Sequence, residues 1–247
     1  YRLPLSDLLG DQEVLDPLQV LFRAEGAVLD HKGTREKVSE AYGLFREISY
    51  LQAKLGAARV ASRPLPSYAL AAPRNMAEAC IQGESVAEQE RKRLELGQNA
   101  VWDLAEVLRN QGLLAAEMPL PAEVSGFTVF SDEAPLMIVN ATQLSVRRLF
   151  SLAHEFGHVR MDPKERALVS MDREEGLVEA RANAFAAALL MPEEGVGDFV
   201  ERQAVKRLDW PEVADLAWTF GVAYSTSVYR LANLGHISPD QKPTLLA

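Results

Sequence analysis

The strongest constraint on the fold of this chain comes from two histidines spaced about one helical turn apart. The segment His154–His158 reads HEFGH, in a mostly apolar run expected to be helical from about Ser145 to Arg160 and ended by Asp162-Pro163. Residues four apart on a helix face the same side, so both imidazoles can point at one ion. The apolar setting predicts at least partly buried histidines, and buried histidines need partners. The alternative is a solvated helix face with two ordinary histidines.

Glu155 follows the first histidine and lies where its carboxylate is beside a bound metal rather than on it. In that position it can act as a general base toward a water molecule. The motif therefore predicts a metal site formed by His154 and His158, with Glu155 as its catalytic group.

A catalytic metal needs a third protein ligand and one open position. We predict that Glu179 is this ligand, on a second helix from about Glu174 to Leu190. Asn183 lies four residues further on the same face and is predicted to support the ligands by a hydrogen bond. The other acidic residues nearby are alternatives for the third ligand, and a solvated surface position is the usual fate of a glutamate. These alternatives are Glu174, Glu175 and Asp162.

Small residues predict that the two helices lie close together. The second helix is rich in alanine between Ala182 and Ala188. Gly157 costs about 1 kcal/mol in a helix interior relative to alanine, so close packing is the expected reason for it.

Two β-like runs precede the motif. Phe127–Phe130 and Leu136–Asn140 are separated by five residues, which predicts a hairpin. If the second run lies at the sheet edge beside the cleft, its backbone could hold an extended substrate. Leu136, Ile138 and Asn140 are the predicted substrate-binding residues.

The remaining pattern is mostly helical, so the predicted fold class is α+β with a small antiparallel sheet. We expect helices from Thr34 to about Leu55 and from Met76 to Gln111, the second broken near Gly97, and two or three short helices in the last 50 residues. Three prolines predict a linker over Ala57–Arg74. The predicted division is residues 1–75, 76–197 and 198–247.

Charge and cysteine content narrow the cellular setting. A net charge of −9 argues against strong non-specific attraction to nucleic acid or to anionic membranes. The longest apolar run, Ala184–Met191, is far short of the roughly 20 residues of a membrane span. The single cysteine, Cys80, and the polar opening Tyr1–Asp7 predict a cytoplasmic protein without a secretory signal.

Two separate blocks of sequence, Arg147–His158 and Glu179–Pro192, resemble the signature of ImmA/IrrE-type metallopeptidases. A strand ending in Asn140 before the motif helix is also similar to that family, and the resemblance extends over roughly Ala87–Leu234. It implies a zincin-like domain over residues 76–197 with one zinc ion. Other divalent metals could occupy the same ligands. The resemblance assigns the ligand role to His154, His158 and Glu179, and the general-base role to Glu155.

The resemblance also implies a substrate. Enzymes of this kind cleave helix-turn-helix repressors of the XRE type and relieve repression in stress responses or mobile elements. Many are fused behind an XRE-type DNA-binding domain, and the segment Tyr1–Leu9 is similar to the chain that follows such a domain. We therefore expect a DNA-binding module upstream of Tyr1. The alternative is a transcription regulator whose peptidase-like domain senses metal, ligand or partner without cleaving.

The C-terminal residues Val213–Val222 and Val228–Gly235 resemble the family's helix-turn-helix-like segment, although Ala223 stands where a capping serine is usual. From Asp198 onward there are 5 Lys and Arg against 6 Asp and Glu, which predicts at most weak DNA binding. The alternative is a pair of packed helices that complete the core or contact protein, with Trp218 and Tyr229 buried.

Overall fold

A computed structural model describes residues 67–68, 70–129, 135–162, 167–171, 176–203, 205 and 207–247. It also describes a few positions between Glu36 and Lys54, all of them helical, within the helix predicted from Thr34. Residues 1–35 and most of the predicted linker lie outside the described residues.

Within the described residues from Ser67 onward, the chain forms eight helices and four strands. They are α1 (Met76–Arg93), α2 (Leu104–Asn110), β1 (Leu114–Met118), β2 (Val124–Val129), β3 (Leu136–Asn140), α3 (Ser145–Met161), β4 (Ala167–Met171), α4 (Leu177–Leu190), α5 (Glu193–Gln203), α6 (Trp210–Phe220), α7 (Tyr224–Asn233) and α8 (Gln241–Leu246). The α+β class is confirmed. None of the described helices is long and apolar enough to cross a membrane.

The four strands form one sheet in the order β1-β3-β2-β4. The predicted hairpin is confirmed, because β2 and β3 pair antiparallel with Phe127 opposite Ile138. The small antiparallel sheet that was predicted is in fact mixed, because β1 pairs parallel with β3, from Leu114 opposite Leu136 onward. Both β1 and β3 run opposite to β2, so they run parallel when the topology makes them neighbours.

The sheet order also corrects the expectation that Leu136–Asn140 is an edge strand. This strand, β3, lies between β1 and β2 and is paired on both sides. Its backbone has no free edge for a substrate, and the outer strands of the described sheet are β1 and β4.

Glycines mark the close contacts among α1, α3 and α4. A Cβ on Gly157 in α3 would lie 2.9 Å from Cδ1 of Phe185 in α4, so the expected reason for this glycine is confirmed. A Cβ on Gly83 in α1 would lie 2.2 Å from the carbonyl oxygen of Arg181. A side chain at position 157 would force the Phe185 ring to shift, and one at position 83 would meet the backbone of α4, so the close packing favours glycine at both positions.

The C-terminal helices share the core of the preceding residues. Val213, Leu216, Phe220 and Leu231 pack in one hydrophobic cluster with Phe185 and other buried residues before position 197. The division predicted at residue 197 therefore does not coincide with a break in the core.

The two C-terminal helices α6 and α7 are joined by a tight turn at Gly221, which has a left-handed φ of 66°. The N-cap of α7 is Ala223, and no side chain caps it. The expectation that Trp218 and Tyr229 are buried is wrong, since their exposed fractions are 82% and 50%. On α6 the core takes Val213, Leu216, Ala217 and Phe220 instead.

A buried ionic network joins α1 to the end of α3. Glu90 and Arg160 are both fully buried, and Arg160 Nη2 donates to Glu90 Oε1 over 2.6 Å. Arg93 and the hydroxyl of Tyr68 donate to the same carboxylate. Burial would raise the pKa of Glu90, but the hydrogen bonds from Arg93 and Arg160 hold it below its ordinary value. Tyr68 thus ties residues before α1 to the core.

Glu90→Gln should lower the free energy of unfolding by about 3–5 kcal/mol, because it leaves Arg160 buried without its counter-charge. Urea denaturation at pH 7 measures this loss. Glu88→Gln is the matched control, since it removes only an exposed partner of Lys92 and should change little.

The same network predicts a pH dependence. Because the pKa of Glu90 is depressed, its stabilisation is present above the unfolded value of about 4.5. This contribution is lost as the pH falls through the folded pKa, and Glu90→Gln should lack this part of the decline. Equal stability of Glu90→Gln and Glu88→Gln at pH 7 would contradict the role of Glu90.

Candidate active site

Three side chains from two helices converge on one point. His154 Nε2 on α3 lies 3.0 Å from Glu179 Oε2 on α4, and His158 Nε2 lies 3.2 Å from Glu179 Oε1. The two Nε2 atoms are 3.0 Å apart. All three donor atoms fall within 4.8 Å of one another, an arrangement that could hold a metal ion. Two imidazole nitrogens and a carboxylate oxygen are ligands that zinc accepts in catalytic sites.

The local sequence explains this convergence. Every residue of α3 from Ser151 to Met161 is buried, which carries both histidines into the interior. The close contact between Gly157 and Phe185 brings α4 against the same face of α3. Glu179, in the first turn of α4, then lies over the two imidazoles.

Of the three alternatives for the third ligand, only Asp162 lies within the described residues. Asp162 contacts His158 Nδ1, on the far side of the ring from the cluster, rather than joining the cluster. Glu174 and Glu175 lie outside the described residues.

The surroundings of the cluster favour a protonated His158 and an ionised Glu179. Burial would lower the pKa of His158, but hydrogen bonds with Asp162 and Glu179 raise it to about 10. Burial would raise the pKa of Glu179, but hydrogen bonds from His154 and His158 hold it well below its ordinary value. The proton on His158 therefore places a positive charge beside the Glu179 carboxylate, and a bound divalent cation would do the same.

Each histidine has a polar partner on its outer nitrogen. Asn183 Oδ1 lies 2.9 Å from His154 Nδ1, the relation expected for Asn183 from its spacing after Glu179. Asp162 Oδ2 lies 3.0 Å from His158 Nδ1. An oxygen that accepts from Nδ1–H leaves the Nε2 lone pair free for a metal. The role of Asp162 was missed, although it follows His158 by four residues on the same helical face.

The carboxylate of Glu155 contacts the sheet. Its side chain is fully buried, and Thr128 Oγ1 on β2 donates to its Oε2 over 2.6 Å. Its other oxygen, Oε1, has no hydrogen-bond partner among the described residues. Gly126 makes room for this carboxylate, because a Cβ there would lie 3.0 Å from Oε1 and 2.7 Å from the carbonyl oxygen of Ile138.

Thr128 and Gly126 were not identified from the sequence. Their contacts with Glu155 depend on β2 lying across α3, and no spacing within either element indicates that pairing. In the folded protein, Thr128 anchors Oε2 of Glu155, and Oε1 is left available to accept a proton.

The predicted substrate-binding residues do not face a cleft. Leu136 and Ile138 are buried in the core. Asn140 is fully buried, and its amide donates to the carbonyls of Val124 and Pro121 while its Oδ1 accepts from Leu120 N. The prediction is therefore corrected: Asn140 holds the connection between β1 and β2, which explains a polar residue at the end of an apolar strand.

Comparison with protein families identifies the class to which this site belongs. Residues 108–232 match the Peptidase_M78 family model, described as the IrrE N-terminal-like domain. The match covers just over half of the chain and includes both ligand-bearing helices, so the chain belongs to this peptidase family. A comparison with curated proteins finds no match.

Zinc binding to the metal-free protein should release close to one proton per ion near pH 7, because His158 must give up the proton that its raised pKa retains. Titration calorimetry in buffers with different ionisation enthalpies measures this release. The apparent zinc affinity should rise as the pH increases from 7 toward 10. Binding without proton release would show that His158 is neutral before the metal arrives.

Proposed function

We propose that this protein is a zinc-dependent endopeptidase. The observation that carries the proposal is the convergence of His154, His158 and Glu179, together with the buried carboxylate of Glu155, the residue that follows His154. Membership of a peptidase family supports hydrolysis of a peptide bond as the reaction. The donor set of two imidazoles and one carboxylate supports zinc, since it leaves an open coordination position.

In this proposal His154, His158 and Glu179 hold the metal, which supplies Lewis acidity toward water and the scissile carbonyl. Glu155 accepts a proton from the attacking water at Oε1 and returns it to the leaving amine. Thr128 anchors Oε2 and so limits rotation of the Glu155 carboxylate. Burial of Glu155 excludes bulk water from competing for the same proton.

An extended substrate needs a free sheet edge, and β4 is our candidate for it. β4 pairs with β2, with Leu168 opposite Thr128, the residue that contacts Glu155. No described strand pairs with the outer side of β4. A peptide strand added there by backbone hydrogen bonds would lie nearer Glu155 than one added beside β1.

The proposed substrate is an XRE-type helix-turn-helix repressor, cleaved in the cytoplasm during a stress or mobile-element response. The support for this finer assignment is the resemblance of Arg147–His158 and Glu179–Pro192 to ImmA/IrrE-type enzymes. A regulator that only senses metal or partner would need the ligands but no general base. The anchoring of Glu155 by Thr128 supports cleavage over sensing.

Glu155→Gln should keep the metal and lower the cleavage rate by about 10²–10⁴-fold, because the amide cannot accept the proton. Cleavage of an XRE-type repressor encoded beside the gene is followed by mass spectrometry, and metal content is measured on the same samples. Glu117→Gln, an exposed carboxylate on β1, is the control and should retain activity. Full activity of purified Glu155→Gln would refute the mechanism.

Glu179→Ala should lower zinc affinity by more than the ~10–100-fold typical of losing an outer hydrogen-bond partner, since it removes a direct ligand. Chelator competition measures the affinity, and exposed Glu194→Ala is the matched control on the next helix. Wild-type affinity in Glu179→Ala would mean that another carboxylate completes the site.

A further inference from the structure

A chain of polar side chains runs from the back of His158 to helix α1. Asp162 Oδ2 lies 3.0 Å from His158 Nδ1, and Asp162 Oδ1 accepts a hydrogen bond from Arg181 Nη2 on α4. Arg181 Nη1 donates to Gln82 Oε1 on α1 over 3.2 Å. The side chains of Asp162 and Arg181 are 8% and 5% exposed, so this ion pair is largely removed from water.

We propose that Asp162 and Arg181 are positioning residues for the metal site, acting as one unit on His158. Asp162 would fix the ring orientation and the tautomer that offers Nε2 to the metal, and Arg181 would act through Asp162 by holding its carboxylate in place. This inference rests on the proposed metal site.

The geometry favours a metal-related role over a purely structural ion pair. Asp162 divides its two oxygens between a metal-ligating histidine and Arg181, so the carboxylate cannot rotate without losing one of them. A carboxylate on Nδ1–H strengthens the imidazole as a ligand, and outer partners of this kind typically contribute ~10–100-fold in metal affinity. A buried carboxylate is costly unless it is paired, which gives Arg181 its function.

The pair also joins the two helices that carry the ligands. Asp162 lies four residues after His158, immediately beyond α3, and Arg181 lies two residues after Glu179 on α4. The ion pair between Asp162 and Arg181 therefore helps to fix the distance between the two histidines and Glu179. The backbone of Arg181 is itself close to α1, because its carbonyl oxygen lies 2.2 Å from the position that a Cβ of Gly83 would take.

The two histidines differ in the partner of their Nδ1 atom. The outer partner of His154 is the amide of Asn183, a residue exposed to solvent, whereas His158 has a buried charged partner that is itself paired. We therefore expect the affinity of the site to depend more on Asp162 than on Asn183.

A double-mutant cycle on zinc affinity tests the proposal in the full chain. Zinc dissociation constants are measured by competition with a chromophoric chelator for wild type, Asp162→Asn, Arg181→Met and the double variant. Each single variant should bind zinc ~10–100-fold more weakly. Because Arg181 acts through Asp162, the double variant should be no weaker than Asp162→Asn alone. Multiplying losses in the double variant would overturn the inference.

Arg230→Met is the matched control, since it removes another buried arginine that pairs with a glutamate, Glu84 of α1. It should leave zinc affinity unchanged. An equal loss in Arg230→Met would show a general effect of removing buried charge and overturn the specific role.

Two measurements separate positioning from loss of folding. Arg181→Lys retains a charge that can reach Asp162, so it should recover part of the affinity lost in Arg181→Met. The visible spectrum of bound Co²⁺ should shift in Asp162→Asn, because His158 is no longer held in one orientation, and an unchanged spectrum with unchanged affinity would overturn the inference. If wild type itself binds no zinc, the proposed function fails, whereas zinc-binding wild type with an equally tight Asp162→Asn refutes only this inference.

Discussion

Helices α3 and α4 cross where Gly157 packs against the ring of Phe185, and this contact brings a glutamate of one helix to two histidines of the other. Each helix alone offers an incomplete ligand set. A side chain at position 157 would meet the Phe185 ring, and any shift of α4 that relieved this contact would move Glu179 relative to the two histidines. The chemistry of the site thus depends on a packing contact that contains no polar atom.

Helix α1 supports that crossing from behind. It supplies Gly83 beside Arg181, Gln82 as a partner of the same arginine, and Glu90 as the counter-charge of Arg160 at the end of α3. Two of these contacts go to the buried arginines Arg181 and Arg160, whose charges are costly unless they are paired. The family match begins at residue 108, after α1, yet α1 contacts Arg181 on α4 and Arg160 on α3. Contacts outside the matched region therefore help to hold the two helices that carry His154, His158 and Glu179.

Sequence alone was sufficient wherever the relevant geometry is local. The four-residue spacing of His154 and His158 on a helix requires no knowledge of the fold, and neither does that of Glu179 and Asn183. Thr128 is different, because its contact with Glu155 depends on which strand lies across α3. The parallel pairing of β1 and the exposure of Trp218 depend likewise on non-local packing. Asp162 lies between the two cases, since its spacing is local but its partner Arg181 is on another helix.

The interior position of β3 has a consequence for how a peptide could reach Glu155. Glu155 contacts β2, and neighbouring strands in a sheet are about 4.8 Å apart. A peptide strand added outside β4 would lie two such spacings from β2, roughly 10 Å, whereas one added outside β1 would lie three spacings away, roughly 14 Å. The difference of one spacing therefore favours the outer edge of β4 as the position of the peptide. β4 is the direct neighbour of β2, the strand that carries Thr128 and Gly126.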